Sequence, residues 1–263
     1  MTYKKAEILL KVEDVNLFYG EKQILRDINF EIKNIVRPDV NQGQVISLIG
    51  RSGIGKTQLF RLLSGLSKPT SGSILINENQ PVQAGDMGVV FQNYYLFEWR
   101  TIYTSLELAA KKNPALKGKE KQAIQKFAED FNLVDHLKKY PKELSGGQRQ
   151  RASIIQQMLN GTNFLLLDEP FSGLDILVLD KVVELLINVS LSDELKTIII
   201  VSHDIGTSVA ISDTVYILGQ QEEKPGATIK KEIDLCERGL AWDKNIRSQK
   251  EFIDTLKEIK AEL

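Results

Sequence analysis

The stretch that decides the fold is Gly50-Arg51-Ser52-Gly53-Ile54-Gly55-Lys56-Thr57. It fits the pattern G-x-x-x-x-G-K-[ST], in which backbone N–H groups surround phosphate oxygens, the lysine adds positive charge and the hydroxyl reaches Mg²⁺. The apolar residues 44–49 predict a strand before this loop, and leucines at helical spacing over 57–66 predict a helix after it. Because a helix N-terminus directs unpaired N–H groups at an anion, the sequence predicts a nucleoside triphosphate site at residues 50–57.

The composition is typical of a folded protein rather than of a disordered or disulfide-linked chain. The 263 residues carry a formal net charge of −1, which gives no indication of non-specific nucleic-acid binding, and we expect no nucleic-acid partner. The single cysteine, Cys236, excludes an internal disulfide. With only His136 and His203 present, we expect no zinc site of the Cys/His type.

The apolar runs of the sequence have the length of strands. The longest, such as 164–167 and 198–201, fall far short of the roughly 20 residues that a transmembrane helix needs. Lys11, Glu13 and Asp14 interrupt the apolar residues near the N-terminus, so we also expect no secretory signal. Any role at a membrane is therefore expected to come through a partner.

The first part of the chain has the pattern of an antiparallel sheet. Residues 7–33 predict strands around a turn at Gly20-Glu21-Lys22, and residues 73–76 predict a further strand. The segment 34–42 separates these strands from the strand that enters the phosphate loop, and Pro38 prevents it from continuing a central strand. We expect a surface loop over 34–42, with a partner-binding role as the alternative.

The rest of the sequence has helical and strand patterns in turn. Residues 119–131 and 147–159 have helical spacing, and they predict a helical block between Gln92 and Asn160. Three later segments alternate as expected of a parallel α/β core: a strand over 164–167, a helix through 179–189 and a strand over 197–201.

Two acidic residues follow an apolar run in Phe164-Leu165-Leu166-Leu167-Asp168-Glu169. This pattern is typical of a buried strand that delivers carboxylates at its C-terminal end. Asp168 is expected to hold Mg²⁺ through water, because Mg²⁺ keeps much of its hydration shell and takes one or two carboxylates. Glu169 is placed to polarise an attacking water. The alternative is that both residues are surface acids after a strand.

A second motif, Leu144-Ser145-Gly146-Gly147-Gln148, is followed by Arg149-Gln150-Arg151 and, some twenty residues later, by Asp168-Glu169-Pro170. In this order and spacing the motifs resemble the ATP-binding cassette (ABC) family, over about residues 10–220. The resemblance implies an α/β fold that consists of a P-loop NTPase (RecA-like) core with a mainly parallel sheet, an antiparallel β subdomain and an inserted helical subdomain.

The resemblance also implies how the chain is divided. A single ABC ATPase domain is expected over 8–263, with the nucleotide-binding core and its antiparallel β subdomain in 8–91 and 160–220. The helical subdomain, which contains the second motif, is expected over 92–159, and a short C-terminal extension over 221–263.

The resemblance assigns roles to further positions. In that family the element Ser145-Gly146-Gly147-Gln148 opens a helix that touches the γ-phosphate of ATP held by the other subunit, which implies a homodimer in the ATP-bound state. Tyr19 matches the aromatic residue on which adenine stacks. Ser172-Gly173-Leu174-Asp175 resembles the turn that crosses the dimer interface.

The remaining implied roles concern catalysis and the metal. Gln92 matches the glutamine that senses Mg²⁺ and the water, and His203 matches the histidine that contacts the γ-phosphate. The implied catalytic residues are Glu169, His203 and Gln92. The implied Mg²⁺ site consists of Thr57, Gln92 and Asp168.

The resemblance implies an ATP-binding and ATP-hydrolysing subunit, with ATP and Mg²⁺ as cofactors, that powers a membrane transporter. Its expected partners are transmembrane permease subunits, which would hold it at the cytoplasmic face of the inner or plasma membrane. The alternative is a soluble cassette protein in DNA repair or translation. Such proteins usually carry two cassettes in one chain or a long coiled-coil insertion, and this sequence has one cassette and no such insertion.

Two segments favour one group of transporters. Residues 92–101 resemble a segment of the nitrate, sulfonate and taurine importers, although Glu98 stands where that group usually has proline. Residues 223–233 resemble the Arg-Pro-Gly stretch of the same group. These likenesses imply import of a small solute, with a lipid-transport cassette as the alternative.

Overall fold

The computed structural model describes residues 3–37, 42–77, 79–172, 176–191, 196–221, 224–242 and 245–263. It divides the chain into two compact units. The first unit comprises Met1–Asp86 and Leu166–Leu263, and the second unit comprises Met87–Leu165. The second unit therefore interrupts the first in sequence.

Strands and helices alternate along much of the described chain. The strands are β1 Lys4–Tyr19, β2 Lys22–Val36, β3 Gln44–Ile49, β4 Ser71–Ile76, β5 Gln80–Pro81, β6 Met87–Val90, β7 Phe164–Asp168, β8 Thr197–Ser202, β9 Thr214–Gln220 and β10 Ala227–Asp234. The α-helices are α1 Lys56–Leu63, α2 Ile102–Lys112, α3 Glu120–Asp130, α4 Gly146–Leu159, α5 Ile176–Leu191, α6 Ile205–Ile211 and α7 Lys250–Glu262. Among the helices that the structure describes, none combines the length and the apolar character that a membrane crossing requires.

The predicted antiparallel strands are present. β1 and β2 form a hairpin around a turn in which Gly20 has a φ of 59°, and β4 pairs antiparallel with β1. The predicted loop over 34–42 is wrong at its start, because β2 continues to Val36. Ile35 is buried and pairs with Lys5 of β1, which extends the hairpin by three residues beyond Lys33. Residues 38–41 lie outside the described residues.

Parallel strands lie in the half of the sheet that contains β3. β3 pairs with β8 on one side and with β9 on the other, and every residue of β3 and β8 is buried. Strands that are covered on both faces are continuous apolar runs, which explains why residues 44–49 and 197–202 show no alternation. Because these strands run in the same direction, the loops that follow β3 and β8 leave the sheet at the same edge.

The strand order is β5-β4-β1-β2-β10-β9-β3-β8-β7-β6. β10 joins the antiparallel and parallel regions, since it pairs antiparallel with β9 and, through Ala227 and Leu25, parallel with β2. The boundary between the two units falls within β7, between Leu165 and Leu166. The predicted antiparallel β region and the parallel core are thus parts of one continuous mixed sheet.

The helix after the phosphate loop is present but shorter than predicted. Leu59, Leu62 and Leu63 are buried on the expected face of α1. Leu66 lies beyond the end of the helix and is 44% exposed. The helix cannot continue because Gly65 takes a left-handed φ of 70°.

The second unit contains the predicted helical block. α3 and α4 match the predicted helices over 119–131 and 147–159 within one residue at each end. α2 is a further helix of this block, and its N-cap Thr101 accepts the backbone N–H of Thr104. Ile102 and Leu106 of α2 and Ile124 of α3 are buried, so both helices pack by an apolar face.

Near the C-terminus, β10 and α7 pack against other elements of the first unit. Apolar side chains of this region form one cluster with β9 and α6, and the cluster includes Ile233, Leu240, Phe252, Ile259, Val215, Ile217 and Val209. Because β10 is also hydrogen-bonded into the sheet, residues 227–234 are part of the core.

A buried ion pair links three distant segments of the first unit. Asp213 is fully buried and contacts the guanidinium of Arg37, the backbone N–H of Val45 at 2.8 Å and the indole N–H of Trp242 at 2.7 Å. Burial raises the pKa of Asp213, and the charge of Arg37 opposes this rise. Since Val45 lies in β3, Asp213 ties the segments that contain Arg37 and Trp242 to the strand that enters the phosphate loop.

Candidate active site

The phosphate loop at residues 50–57 turns tightly between β3 and α1. Gly53 and Gly55 have φ values of 79° and 112°, which residues with side chains rarely adopt. A Cβ atom at Gly50 would lie 2.7 Å from the carbonyl oxygen of Leu218. Gly55 is the N-cap of α1 and supplies no capping side chain to the first N–H groups of the helix. The loop therefore fits an anion at the N-terminus of α1.

Lys56 is held inside this loop. Its side chain is 7% exposed, and its Nζ donates to the carbonyl oxygens of Gly50 at 2.9 Å and Arg51 at 3.2 Å. The same Nζ lies 3.4 Å from Oε1 of Glu169. A buried ammonium group at the first residue of α1 is suited to bind phosphate oxygens.

Asp168 ends β7 as a buried carboxylate. The Thr57 side chain lies near it and favours its charged form, and its Oδ1 is buried with no hydrogen-bond partner among the described residues. Burial, together with the charge of Glu169, raises the pKa of Asp168 to about 6, although Lys56 and Thr57 oppose the rise. A buried, unpartnered carboxylate oxygen next to a hydroxyl fits a hard cation with oxygen ligands, so these residues fit Mg²⁺.

Glu169 follows directly and has a strained backbone. Its φ is 50°, a left-handed value that is uncommon for a residue other than glycine. Its Oε2 lies 2.7 Å from Nδ1 of His203, and it accepts the His203 backbone N–H at 3.2 Å and the Ser202 hydroxyl at 3.3 Å. The Glu169 backbone N–H donates to the carbonyl oxygen of Val201 at 2.8 Å. The end of β8 therefore holds both the backbone and the carboxylate of Glu169.

The structure brings together four predicted elements in the first unit: residues 50–57, Asp168, Glu169 and His203. One carboxylate oxygen of Glu169 faces Lys56 and the other faces His203. The His203 side chain is half-exposed, so it forms the solvent side of this group. A carboxylate oriented in this way beside a phosphate loop can accept a proton from a water that attacks a phosphate.

Tyr19 lies at the end of β1 and is 55% exposed, so it is not a core residue. Its hydroxyl donates to Oε1 of Gln58 at 2.7 Å, which ties the ring to α1 directly after the phosphate loop. An exposed ring that is tethered at this place is suited to stack on a base. Gln58 has no predicted role, because a polar residue on a helix surface carries no pattern of its own.

In the second unit, Ser145 is the N-cap of α4 and Gln148 completes a capping box. Oγ of Ser145 accepts the Gln148 backbone N–H at 3.4 Å, and the Ser145 backbone N–H donates to Oε1 of Gln148 at 2.9 Å. Ser145 and Gly146 are exposed, Gly147 is half-buried, and a Cβ atom at Gly146 would meet nothing within 4 Å. The helix therefore begins at the surface of its unit with small residues.

Gln92 also belongs to the second unit, where it is exposed and follows β6. Because Gln92 and residues 145–148 lie in a different unit from the phosphate loop, their roles toward Mg²⁺ and ATP remain predictions. The predicted interface turn at 172–175 remains a prediction as well, since residues 173–175 lie outside the described residues.

Two polar residues without a predicted role contact predicted residues, one in each unit. Ser202 donates to Glu169, and its place just before His203 at the end of β8 is a signal that could have indicated it. Nε2 of His136 lies 3.0 Å from Nε2 of Gln148. No pattern points to His136, because it lies in an irregular stretch 12 residues before Gln148.

The chain is similar to known proteins over most of its length. The sequence pattern of the family described as ABC transporter matches residues 34–172, more than half of the chain. An uncharacterized ABC transporter ATP-binding protein of Bacillus subtilis, YtlC, is 39% identical over 80% of this chain and 78% of its own length. The nitrate import ATP-binding protein NrtD of Synechocystis is 32% identical over 86% of this chain and 82% of its own length.

A solved structure extends the comparison to the fold. The structure of cbiO1 from Clostridium perfringens, part of the ABC transporter complex cbiONQ, superposes with a TM-score of 0.72. It has 25% sequence identity to this chain, and the superposition covers 96% of each chain. The predicted fold class, a P-loop NTPase core with its β and helical additions, is confirmed by this likeness.

Proposed function

The chain belongs to the ABC transporter family, and on this premise we propose that it is the ATP-hydrolysing subunit of an importer for a small solute. The observation that carries the proposal is the carboxylate of Glu169, which faces Lys56 and His203 beside a complete phosphate loop. The likeness to a nitrate import protein supports import, and the solute is selected by the partner subunits.

In the proposed mechanism, the backbone N–H groups of residues 50–57 and the ammonium of Lys56 bind the phosphates of ATP. Thr57 and Asp168 would hold Mg²⁺, which supplies positive charge to the phosphate oxygens when it is bound. Glu169 accepts the proton of the attacking water. Ser202 and His203 orient its carboxylate by the hydrogen bonds described above.

Three further assignments complete the proposed site. Tyr19 stacks on the adenine ring, His203 contacts the γ-phosphate, and Gln92 joins the Mg²⁺ and water site. Residues 145–148 contact the γ-phosphate of the nucleotide that the other subunit holds, so that two ATP sites form in a head-to-tail homodimer. A single chain then carries only half of each site.

The assembly is tested with the Glu169→Gln variant, which is expected to bind ATP without hydrolysing it. In sizing chromatography with ATP and Mg²⁺ this variant is expected to run as a dimer and to return to the monomer when nucleotide is removed. Lys56→Ala is the matched control, because it should not bind the nucleotide that holds the dimer together. A Glu169→Gln protein that stays monomeric at high concentration with nucleotide bound contradicts the proposed dimer.

We further propose that the exposed aromatic segment after Gln92 contacts transmembrane permease subunits. Tyr95 and Trp99 are 67% and 74% exposed, and the rings of Phe97 and Trp99 lie 5.5 Å apart. Exposed aromatic rings with charged neighbours are typical of the anchors of a protein interface. This contact would hold the chain at the cytoplasmic face of the inner or plasma membrane.

Affinity purification of the chain from membranes tests the partner. A co-purified multi-span membrane protein supports the transporter subunit, whereas ribosomes or DNA in its place support the soluble alternative. Trp99→Ala should reduce transport and leave the ATPase of the isolated chain largely unchanged. Parallel loss of transport and isolated ATPase assigns Trp99 to packing within the second unit.

A further inference from the structure

Gln148 links the N-cap serine of α4 to a histidine in a preceding turn. Its Oε1 accepts the Ser145 backbone N–H at 2.9 Å, and its Nε2 lies 3.0 Å from Nε2 of His136. His136 ends the 3-10 turn Val134–His136, and a second turn, Pro141–Glu143, leads from there to Ser145. The two turns fold the chain back so that the imidazole of His136 meets the first turn of α4.

The donors and acceptors fix the orientation of both side chains. Because the Ser145 backbone N–H donates, the side-chain oxygen of Gln148 must face it, and the amide nitrogen then faces His136. An amide nitrogen only donates, so Nε2 of His136 must accept, which places the ring hydrogen on Nδ1. A protonated imidazole has no acceptor and does not fit this contact.

The imidazole is placed by its own backbone. The His136 backbone N–H donates to the carbonyl oxygen of Leu133 at 2.9 Å, and the Lys139 backbone N–H donates to that of His136 at 3.0 Å. Nδ1 of His136 is buried and has no hydrogen-bond partner among the described residues. Within that part of the chain, the side-chain polar contact of His136 is therefore the one to Gln148.

We propose that His136 is a positioning residue for the helix start at Ser145. By accepting a hydrogen bond from Gln148, it keeps the glutamine amide on the Ser145 N–H and so fixes the first turn of α4. The proposal rests on the proposed function, in which this helix start contacts ATP held by the partner subunit. It implies an effect on turnover and dimer formation, while the affinity of one chain for ATP is set by residues 50–57.

The experiment compares two variants of the same residue. His136→Gln offers a side-chain oxygen to Gln148, whereas His136→Phe keeps a ring and accepts nothing. The Phe variant is expected to lower turnover at saturating ATP by about threefold to tenfold, the effect of one lost hydrogen bond, with the ATP dissociation constant changed by less than about twofold. The Gln variant should keep most of the wild-type turnover. ATP-dependent dimer formation should likewise be reduced in the Phe variant and largely kept in the Gln variant.

A double-mutant cycle separates positioning from packing. Gln148→Ala removes the partner of His136, so adding His136→Phe to it should cause no further loss of turnover. Asp135→Asn is the control, because Asp135 is exposed on the same turn and should leave turnover unchanged.

Equal losses in the Gln and Phe variants, or a further loss in the Gln148→Ala background, overturn the role of His136. If the Phe variant does not fold, His136→Leu takes its place with the same expectations. A wild-type chain that neither hydrolyses ATP nor dimerises with it instead contradicts the proposed function, and that result needs no change at His136.

Discussion

The phosphate side, meaning residues 50–57, Asp168, Glu169 and His203 of the first unit, and the helix start at Ser145 in the second unit are built in different ways. Lys56, Glu169 and His203 come from three segments far apart in sequence, and the neighbouring positions of β3, β8 and β7 in the sheet bring them together. The helix start is formed by residues 136–148, which two turns and a capping box shape, and the backbone N–H groups of Ile102 and Tyr103 in α2 donate to the carbonyl oxygens of Lys139 and Leu137. The charged groups thus depend on strand order, whereas the helix N-terminus depends on short-range turns and on one neighbouring helix.

The largest effect is expected from two single substitutions on the phosphate side, one at Glu169 and one at Lys56. Glu169→Gln removes the proton acceptor, so turnover should fall by at least about a hundredfold while ATP affinity is retained. Lys56→Ala removes a charge that binds phosphate, so ATP affinity itself should fall. Nucleotide titration and steady-state ATPase measurements on both variants check this. A Glu169→Gln protein with near wild-type turnover would falsify the role of Glu169.

The contribution of the buried ion pair to stability is tested at Asp213. Asp213→Ala leaves Arg37 buried without its carboxylate, and it should lower the free energy of unfolding by about 3–5 kcal/mol. Urea unfolding measures the change. Asp254→Ala serves as the control, because the Asp254 side chain on α7 is half-exposed and a change within about 0.5 kcal/mol is expected. Similar losses in the two variants would show that Asp213 does not tie these segments together.

A smaller effect is expected at the helix start at Ser145. Ser145→Ala removes a hydroxyl that caps α4 and is proposed to contact phosphate, so turnover should fall about tenfold while ATP affinity of one chain is unchanged. Glycine retains much of the capping preference but lacks the hydroxyl, so Ser145→Gly separates the two roles. Equal turnover in the wild-type chain and the Gly variant would show that the Ser145 hydroxyl does not contact the phosphate.

The smallest effect is expected from the ion cluster that Glu258 of α7 forms with Lys231 of β10 and with Arg238. Hydrogen bonds from Arg238 and Lys231 lower the pKa of Glu258 from 4.5 to about 2. This group therefore contributes stability above pH 4.5 that is lost as the pH falls towards 2. Glu258→Gln should lower the free energy of unfolding at pH 7 by less than about 1 kcal/mol and remove this part of the acid dependence. Unfolding curves from pH 2 to 7 measure it, and an unchanged acid dependence contradicts the assignment.

Much of the phosphate side could be predicted from the sequence, because loop and strand motifs report it directly. Residues 50–57 need glycines, a lysine and a threonine in a fixed order, and Asp168 follows an unmistakable buried strand. The extension of β2 to Val36 was not predicted. Pro38 indicates a break in the strand, and the two apolar residues Ile35 and Val36 alone do not indicate where that break begins. The early end of α1 was not predicted, because Leu66 continues the helical spacing of the leucines. The left-handed backbone of Gly65 ends the helix before Leu66.

The contacts around the helix start show a different limit of prediction. The small residues at 145–147 indicate a helix N-terminus, but the partner of Gln148 depends on where two 3-10 turns direct the chain. Neither turn has an apolar period, so nothing in the sequence pairs His136 with Gln148. For the same reason the anchor of Tyr19 on Gln58 became visible only with the strand and helix in place.

The left-handed backbone of Glu169 has a consequence for engineering this chain. Glycine adopts such a φ without strain, so Glu169→Gly would relieve about 1 kcal/mol of backbone strain. The same substitution removes the carboxylate that faces buried Lys56 and accepts hydrogen bonds from Ser202 and His203, a loss expected to outweigh the relief. A library intended to improve thermal tolerance or turnover should therefore leave residue 169 fixed.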